Sequence, residues 1–178
     1  MSRKKKEIYY WACDFETTVW GKEVEEKLGK KQDRTEVWSA ADVRLYDETE
    51  TVTISHSIRD FLDRFFSLPG NNILYFHNLS FDGSFIIDFI LREGYMFTTE
   101  KDKDMRSMQF KTSISSMGDW YMIKIKKGKK LLEIRNSLKL MPKSLDAIAK
   151  SFKTKHQKLD MKYEGVRYAY CEITEEEQ

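Results

Sequence analysis

No apolar stretch in these 178 residues approaches the roughly 20 needed to cross a bilayer, which excludes a membrane-spanning helix. Basic residues open the chain (MSRKKKE, residues 1–7), but no apolar run of signal-peptide type follows them. The expectation is a cytoplasmic protein with no membrane partner. Cysteine is nearly absent. The two present, Cys13 and Cys171, have no zinc spacing around them, and Cys13 falls in an apolar run, as a reduced core residue would. Internal repeats and low-complexity tracts are missing. So is a strong net charge, since 31 Lys and Arg against 29 Asp and Glu leave +2. What is present is 40% hydrophobic and 13% aromatic residues, enough for one domain with a real core and hardly enough for two.

Charge is distributed less evenly than the total implies. Residues 124–162 hold 13 Lys or Arg and 3 Asp or Glu, a local net of +10, whereas residues 1–123 and 163–178 each sum to −4. A basic segment of this kind can follow a phosphate backbone, and it can equally be a solubilising lysine-rich surface.

Pattern along the chain predicts a mixed α/β domain. Residues 8–15 (IYYWACDF) read as a buried strand, residues 36–46 as a second and residues 51–55 as a third. Residues 21–35 are a charged connection, loop or frayed helix. Ser57-Ile-Arg-Asp60 has the form of a capping box opening a helix, which Pro69-Gly70 stops. Residues 72–77 (NILYFH) are again a buried strand, followed by an apolar helix over 82–92 that Gly94 closes. A polar loop over 98–107 comes next. A hairpin turns at Lys127-Gly128-Lys129 between strands 120–126 and 130–136. A last helix over 144–152 has Leu145, Ile148, Ala149 and Phe152 inward, and Thr174 reads as the N-cap of another.

The chemistry concentrates in two places. Asp14-Phe15-Glu16 ends the first strand, where residues i and i+2 share a face, so both carboxylates point the same way and Phe15 turns inward. Like charges that close are costly unless a cation lies between them. By itself the triplet is more simply a solvated strand end. The second place is residues 75–85 (YFHNLSFDGSF), where a strand runs into a loop and Asp82 opens a helix. Asp82 reads as an N-cap, or as a further carboxylate on the same cleft. Two divalent ions about 4 Å apart would then stabilise phosphodiester hydrolysis. Asn78 offers an amide to a nucleotide, and Phe81 and Tyr75 offer stacking surfaces for unpaired bases. His77 reads first as a packed, hydrogen-bonded residue.

Asp14-Phe-Glu-Thr-Thr18 resembles the first exonuclease motif of the protein-primed family B DNA polymerases, the replicases of small tailed phages and linear plasmids. Residues 75–86 (YFHNLSFDGSFI) resemble their second motif over nearly its whole length. Residues 116–122 (SMGDWYM) resemble a central strand, Ser137-Leu138 a motif that holds single-stranded DNA, and residues 158–163 (KLDMKY) a lysine and tyrosine motif. The resemblance implies a ribonuclease H-like (DnaQ-like exonuclease) α/β fold, a mixed sheet flanked by helices, spanning 1–178 as a single exonuclease-like domain. It implies 3′–5′ proofreading of single-stranded 3′ ends by two-metal hydrolysis with Mg²⁺ or Mn²⁺. Asp14, Glu16 and Asp82 would be the metal ligands. Thr17, Asn78, Phe81, Ser137 and Leu138 would hold single-stranded DNA. Lys158 would contact the scissile region and Tyr163 would help place the primer end. His77 and Phe85 match positions near single-stranded DNA and the terminal protein. The implied partners are a primer 3′ end, a terminal protein and the remainder of a polymerase.

The family's third motif, a tyrosine followed four residues later by an aspartate, has no match downstream of residue 163, and Tyr168 with Glu172 is only a partial stand-in. The palm, fingers and thumb motifs are absent as well. Three expectations follow. The chain is a fragment or split-gene product of a polymerase, incomplete as a catalyst alone. It is a free-standing exonuclease with another third ligand. Or it is a non-catalytic module that binds single-stranded DNA or a terminal protein.

Overall fold

The first apolar run forms the strand β1 (Ile8–Thr17) in the computed structural model, which describes residues 7–18 and 35–154 together with Arg167 and Cys171. On its inward side Trp11, Cys13 and Phe15 are buried, the alternation expected of a strand with one face on a core. Seven more strands follow: β2 (Val37–Arg44), β3 (Val52–Ser55), β4 (Asn71–Phe76), β5 (Met96–Phe97), β6 (Gln109–Ile114), β7 (Trp120–Lys127) and β8 (Lys130–Asn136). Their order in one mixed sheet is β3-β2-β1-β4-β8-β7-β6-β5. β1, β4 and β8 run parallel side by side, with Cys13 opposite Phe76 and Phe76 opposite Asn136. The ends of all three strands therefore reach the same edge of the sheet.

Two helices, α1 (Ile58–Ser67) and α2 (Leu79–Arg92), pack into the core formed by the inward side chains. Aromatic rings make much of that core. Phe15 meets Phe61 at 5.1 Å and Phe76 at 4.8 Å, and Trp11 meets Phe65 at 5.2 Å, all edge to face. Within it lies one charged pair. Arg64 donates to both oxygens of the fully buried Asp42, at 3.1 and 2.9 Å, and to Thr53 at 3.2 Å. Ser57 caps α1 as the sequence predicts, accepting from the Asp60 N–H at 3.2 Å while its hydroxyl donates to the Asp60 carboxylate. Ser57→Ala is expected to cost about 1 kcal/mol. Thermal unfolding should show this as a midpoint lower by about 2–4 °C, and an unchanged midpoint would deny the cap its role.

The opposite face carries an open groove of about 880 Å³, lined by Tyr10, Ala12, Val43, Tyr75, Leu140 and Leu145 among others. The last helix, α3 (Leu145–Phe152), borders it with Ser144 as N-cap. Its predicted apolar stripe does not turn inward. Ile148 and Ala149 are half-buried, while Leu145 is 53% and Phe152 68% exposed. Three further differences stand out. α2 starts three residues earlier than predicted, residues 109–114 form a strand, and residues 115–119 make a turn rather than part of the central strand. Among the described residues no helix is long and apolar enough to cross a membrane.

Much of the basic segment is neutralised by acids of the same chain, some inside the segment and some outside it. Lys124 pairs with Asp102 and Glu133, Lys127 with Asp63, Arg135 with Glu133, Lys139 with Asp119 and Lys150 with Asp146. Lys126, Lys129, Lys143 and Lys153 take no part in these pairs. The excess positive charge is therefore smaller at the surface than along the sequence.

Candidate active site

β1 presents Asp14 exposed and Glu16 half-buried on one face, while Phe15 between them is locked into the aromatic core. Because β4 lies parallel beside β1, the junction between β4 and α2 reaches the same edge. His77 and Asn78 make that junction. Asn78 adopts a left-handed conformation (φ 65°, ψ 57°) as the N-cap of α2, without capping through its side chain. Asparagine tolerates this region better than most residues. The Ser80 hydroxyl donates to Asn78 Oδ1 at 2.7 Å, and the Phe81 N–H to the Asn78 carbonyl at 3.0 Å.

Asp82 is therefore not the helix cap. It is the fourth residue of α2, one turn in, and only 3% exposed. The sharp left-handed turn at Asn78 lets Leu79 bury and start the helix early. The N–H groups of Phe15 and of Asp82 itself donate to the carboxylate, but Oδ1 has no hydrogen-bond partner. Burial raises its pKa to about 7, aided by the negative charges of Asp14 and, less, Glu16, against the pull of the two backbone hydrogen bonds. Gly83 permits this placement. A Cβ there would lie 3.0 Å from the Trp120 ring and 3.1 Å from Ile123, so α2 packs closely on β7 and a larger residue would need those side chains to shift.

An orphaned, buried carboxylate oxygen beside two more carboxylates is costly without a positive partner. Such an all-oxygen donor set suits a hard divalent cation such as Mg²⁺ or Mn²⁺. The three carboxylates are neighbours rather than a finished cage, for among the described residues no three His, Cys, Asp or Glu side chains close around one point.

The same edge holds the other candidates. β8 ends in a 3-10 turn, Ser137–Lys139, beside the end of β4. Here the Ser137 hydroxyl oxygen lies 3.2 Å from the Phe76 carbonyl and 3.2 Å from His77 Nδ1, and its single proton serves one of these acceptors at a time. His77 Nε2 lies 2.9 Å from the Lys143 carbonyl, which can only accept, so that nitrogen carries a proton. His77 thus ties β4, the 3-10 turn and the loop before α3 together. The Leu138 N–H donates to Asn136 Oδ1 at 3.0 Å, and Asn136 Nδ2 donates to the Trp120 carbonyl at 2.8 Å. Phe81 is 49% exposed, edge to face with the half-buried Phe85 at 5.3 Å. Tyr75 faces the groove instead, its ring stacked on Tyr10 at 6.4 Å and its hydroxyl within 3.5 Å of Arg135. Thr17 is half-buried at the end of β1. Lys158 and Tyr163 lie outside the described residues, as does the Tyr168 and Glu172 pair.

Sequence reasoning missed two residues at this edge, Trp38 and Asn136. Asn136 leaves a weak trace, an amide closing the otherwise apolar inward positions of β8. Trp38 leaves none, because its indole acts on the backbone of another strand.

Comparison with known proteins follows the same lines. A family described as DNA polymerase type B, organellar and viral, matches residues 65–178. The DNA polymerases of Bacillus phages PZA and phi29 are each 35% identical over 172 residues, covering 94% of this chain and 27% of the relative. That of Streptococcus phage Cp-1 is 29% identical over 185 residues. The chain thus spans about a quarter of the length of these relatives. Among solved structures, phi29 DNA polymerase with primer-template DNA aligns with a TM-score of 0.78 at 32% identity, covering 96% of this chain and 28% of that one. The same polymerase with single-stranded DNA aligns at 0.76 and 33% identity, covering 95% of this chain and 28% of that one. The mixed sheet with flanking helices is the ribonuclease H-like fold.

Proposed function

From the premise that this chain belongs to the type B DNA polymerases of organelles and viruses, we propose that it is the 3′–5′ exonuclease portion of a protein-primed phage polymerase, acting in the host cytosol. On this reading residues 1–178 are one domain. It removes the last nucleotide from a single-stranded 3′ end by hydrolysing the terminal phosphodiester. The observation that carries the proposal is Asp82, a buried carboxylate with an unsatisfied oxygen beside Asp14 and Glu16.

Asp14, Glu16 and Asp82 would hold Mg²⁺ or Mn²⁺ at this edge, and an ion bound there would supply a lowered pKa for water and neutralise charge on the leaving oxygen. The rest is done by side chains around it. Phe81 gives an exposed ring on which an unpaired base can stack, and Phe85 supports it from below. Asn78, held by Ser80, presents its amide at the mouth of the site. Thr17, Ser137 and Leu138 line the edge where the strand enters, and His77 fixes Ser137 in place. Tyr75 lines the groove alongside. Lys158 would contact the scissile phosphate and Tyr163 the primer end. Further partners on this reading are a terminal protein and the rest of the polymerase.

Incubating the purified chain with a 5′-labelled single strand and Mg²⁺ or Mn²⁺ tests the proposal. Stepwise shortening from the 3′ end is the expected result. Retention of an intact but bound strand would sink catalysis by this chain alone, leaving a portion that needs the rest of a polymerase for its third ligand or a module that only binds DNA. Failure to bind single strands at all would sink both.

A further inference from the structure

The pairing of β1 with β2 is irregular at one point. Glu16 stands opposite Ser39, but Thr17 stands opposite Val37, so Trp38 is an extra residue on β2. This is a β-bulge, which bends a strand, twists it further and re-aims the side chains beside it. Beside the bulge the indole makes a bond across to β1: Trp38 Nε1–H donates to the Thr17 carbonyl at 3.1 Å. Pairing resumes beyond the bulge, where the Thr18 N–H donates to the Glu36 carbonyl at 2.8 Å and the Glu36 N–H to Thr18 Oγ1 at 3.1 Å. Trp38 is only 1% exposed, one of the largest fully buried side chains, and the Arg167 guanidinium lies 5.8 Å from its ring centre.

Surface-facing reasons for a tryptophan are therefore absent, and a purely packing role does not explain the hydrogen bond. We infer that Trp38 is a positioning residue for the carboxylate site, its indole N–H holding the Thr17 carbonyl beside the bulge and so fixing how the end of β1 aims Glu16 and Thr17. Asp82 and Trp38 then grip that end of β1 from two sides. Asp82 holds it at the Phe15 N–H, Trp38 at the Thr17 carbonyl. The inference rests on the metal-site reading above.

Mn²⁺ binding to the 178-residue chain, followed by electron paramagnetic resonance titration, is the test. Trp38→Phe keeps an aromatic ring and removes the donor. Incorporation of 3-benzothienylalanine at position 38 removes the donor with the ring size unchanged, so a folding failure of the first variant leaves the second to decide. The expected result is Mn²⁺ affinity weaker by about tenfold or more, as for other groups that orient a metal ligand. Amide hydrogen exchange should quicken at Glu16, Thr17 and Thr18 and stay unchanged in α1. Wild-type affinity in either folded variant overturns the inference. An equal loss in Phe65→Leu, a core substitution chosen for a similar drop in unfolding temperature, overturns it too. If wild type and Asp14→Asn titrate alike, the carboxylate site itself is absent, and the metal reading falls together with the inference. Binding that Asp14→Asn abolishes but the position 38 variants retain removes the inference alone.

Discussion

Replacing Asp14 and Asp82 together by alanine is expected to end Mg²⁺- or Mn²⁺-dependent shortening of single strands, a loss of at least about a thousandfold in rate. The size follows from what the carboxylates are asked to do. Metal stabilisation of charge at the reacting phosphate is worth several kcal/mol, and each 1.4 kcal/mol is about tenfold. On the proposed reading the two residues serve one two-metal centre, so each single variant should lose nearly as much as the pair. Single-strand binding should behave oppositely. Removing two negative charges from beside a phosphate chain leaves binding in EDTA unchanged or somewhat tighter, since Phe81, Asn78 and Ser137 are untouched. Initial rates of shortening and gel shifts in EDTA measure the two quantities separately. A double variant within tenfold of wild type would mean that the strand-end carboxylates do not hold the catalytic ion. A variant that loses binding as well as rate would mean that the substitution damaged the edge itself.

Much of this was legible in residues 8–16 and 71–85, where short apolar runs are flanked by polar residues that cannot be buried unpaired. Where the strands, α1 and the Ser57 cap come from is local, and local patterns carry it. Asp82 was legible as a carboxylate where a strand passes into a helix, but not in its position. An aspartate before an apolar run reads as an N-cap, and only the left-handed turn at Asn78 moves the start of α2 to Leu79 and carries Asp82 inside. β5 and β6 were not visible, because a two-residue edge strand and the sequence QFKTSI have little periodicity. Their pairing, with Phe110 opposite both Phe97 and Ile125, is a fact of the sheet. The same limit applies to the basic segment. Its lysines find Asp63, Asp102 and Asp119, acids from elements far away in the chain, and a count along the sequence cannot see such partners. The bulge at Trp38 is the extreme case, since one extra residue in a strand is indistinguishable from ordinary alternation until its partner strand is known.

Asp82→Asn is expected to stabilise the protein at pH 8 without metal and to remove its response to metal. The carboxyl of Asp82 has a pKa of about 7 in the folded chain, against 3.8 for an ordinary aspartate. Between these values the folded protein holds a proton that the unfolded chain has released, so stability is greatest at the acid end of that window. It falls as pH rises towards 7 and is level above it. The full loss is roughly 4 kcal/mol, at about 1.4 kcal/mol for each pKa unit. An asparagine carries no charge to desolvate and should flatten this part of the profile. Its gain will be smaller than the full amount, because the new amide has its own hydrogen bonds to satisfy in a site with one orphaned oxygen. A divalent cation is expected to act on the wild type in the opposite sense. By binding the ionised carboxylate it would stabilise the folded state in proportion to the logarithm of its concentration over its dissociation constant. Thermal unfolding in EDTA from pH 5 to pH 8, repeated with Mn²⁺, reads both effects, and the difference between the two proteins isolates Asp82 from every other titrating group. Equal pH profiles for wild type and variant in EDTA would show that the carboxylate is not strained when empty. A variant that Mn²⁺ still stabilises as strongly as wild type would show that the ion does not rest on Asp82. The expected pattern, destabilised when empty and restored when filled, is that of a residue kept in an unfavourable place because a ligand makes the place favourable.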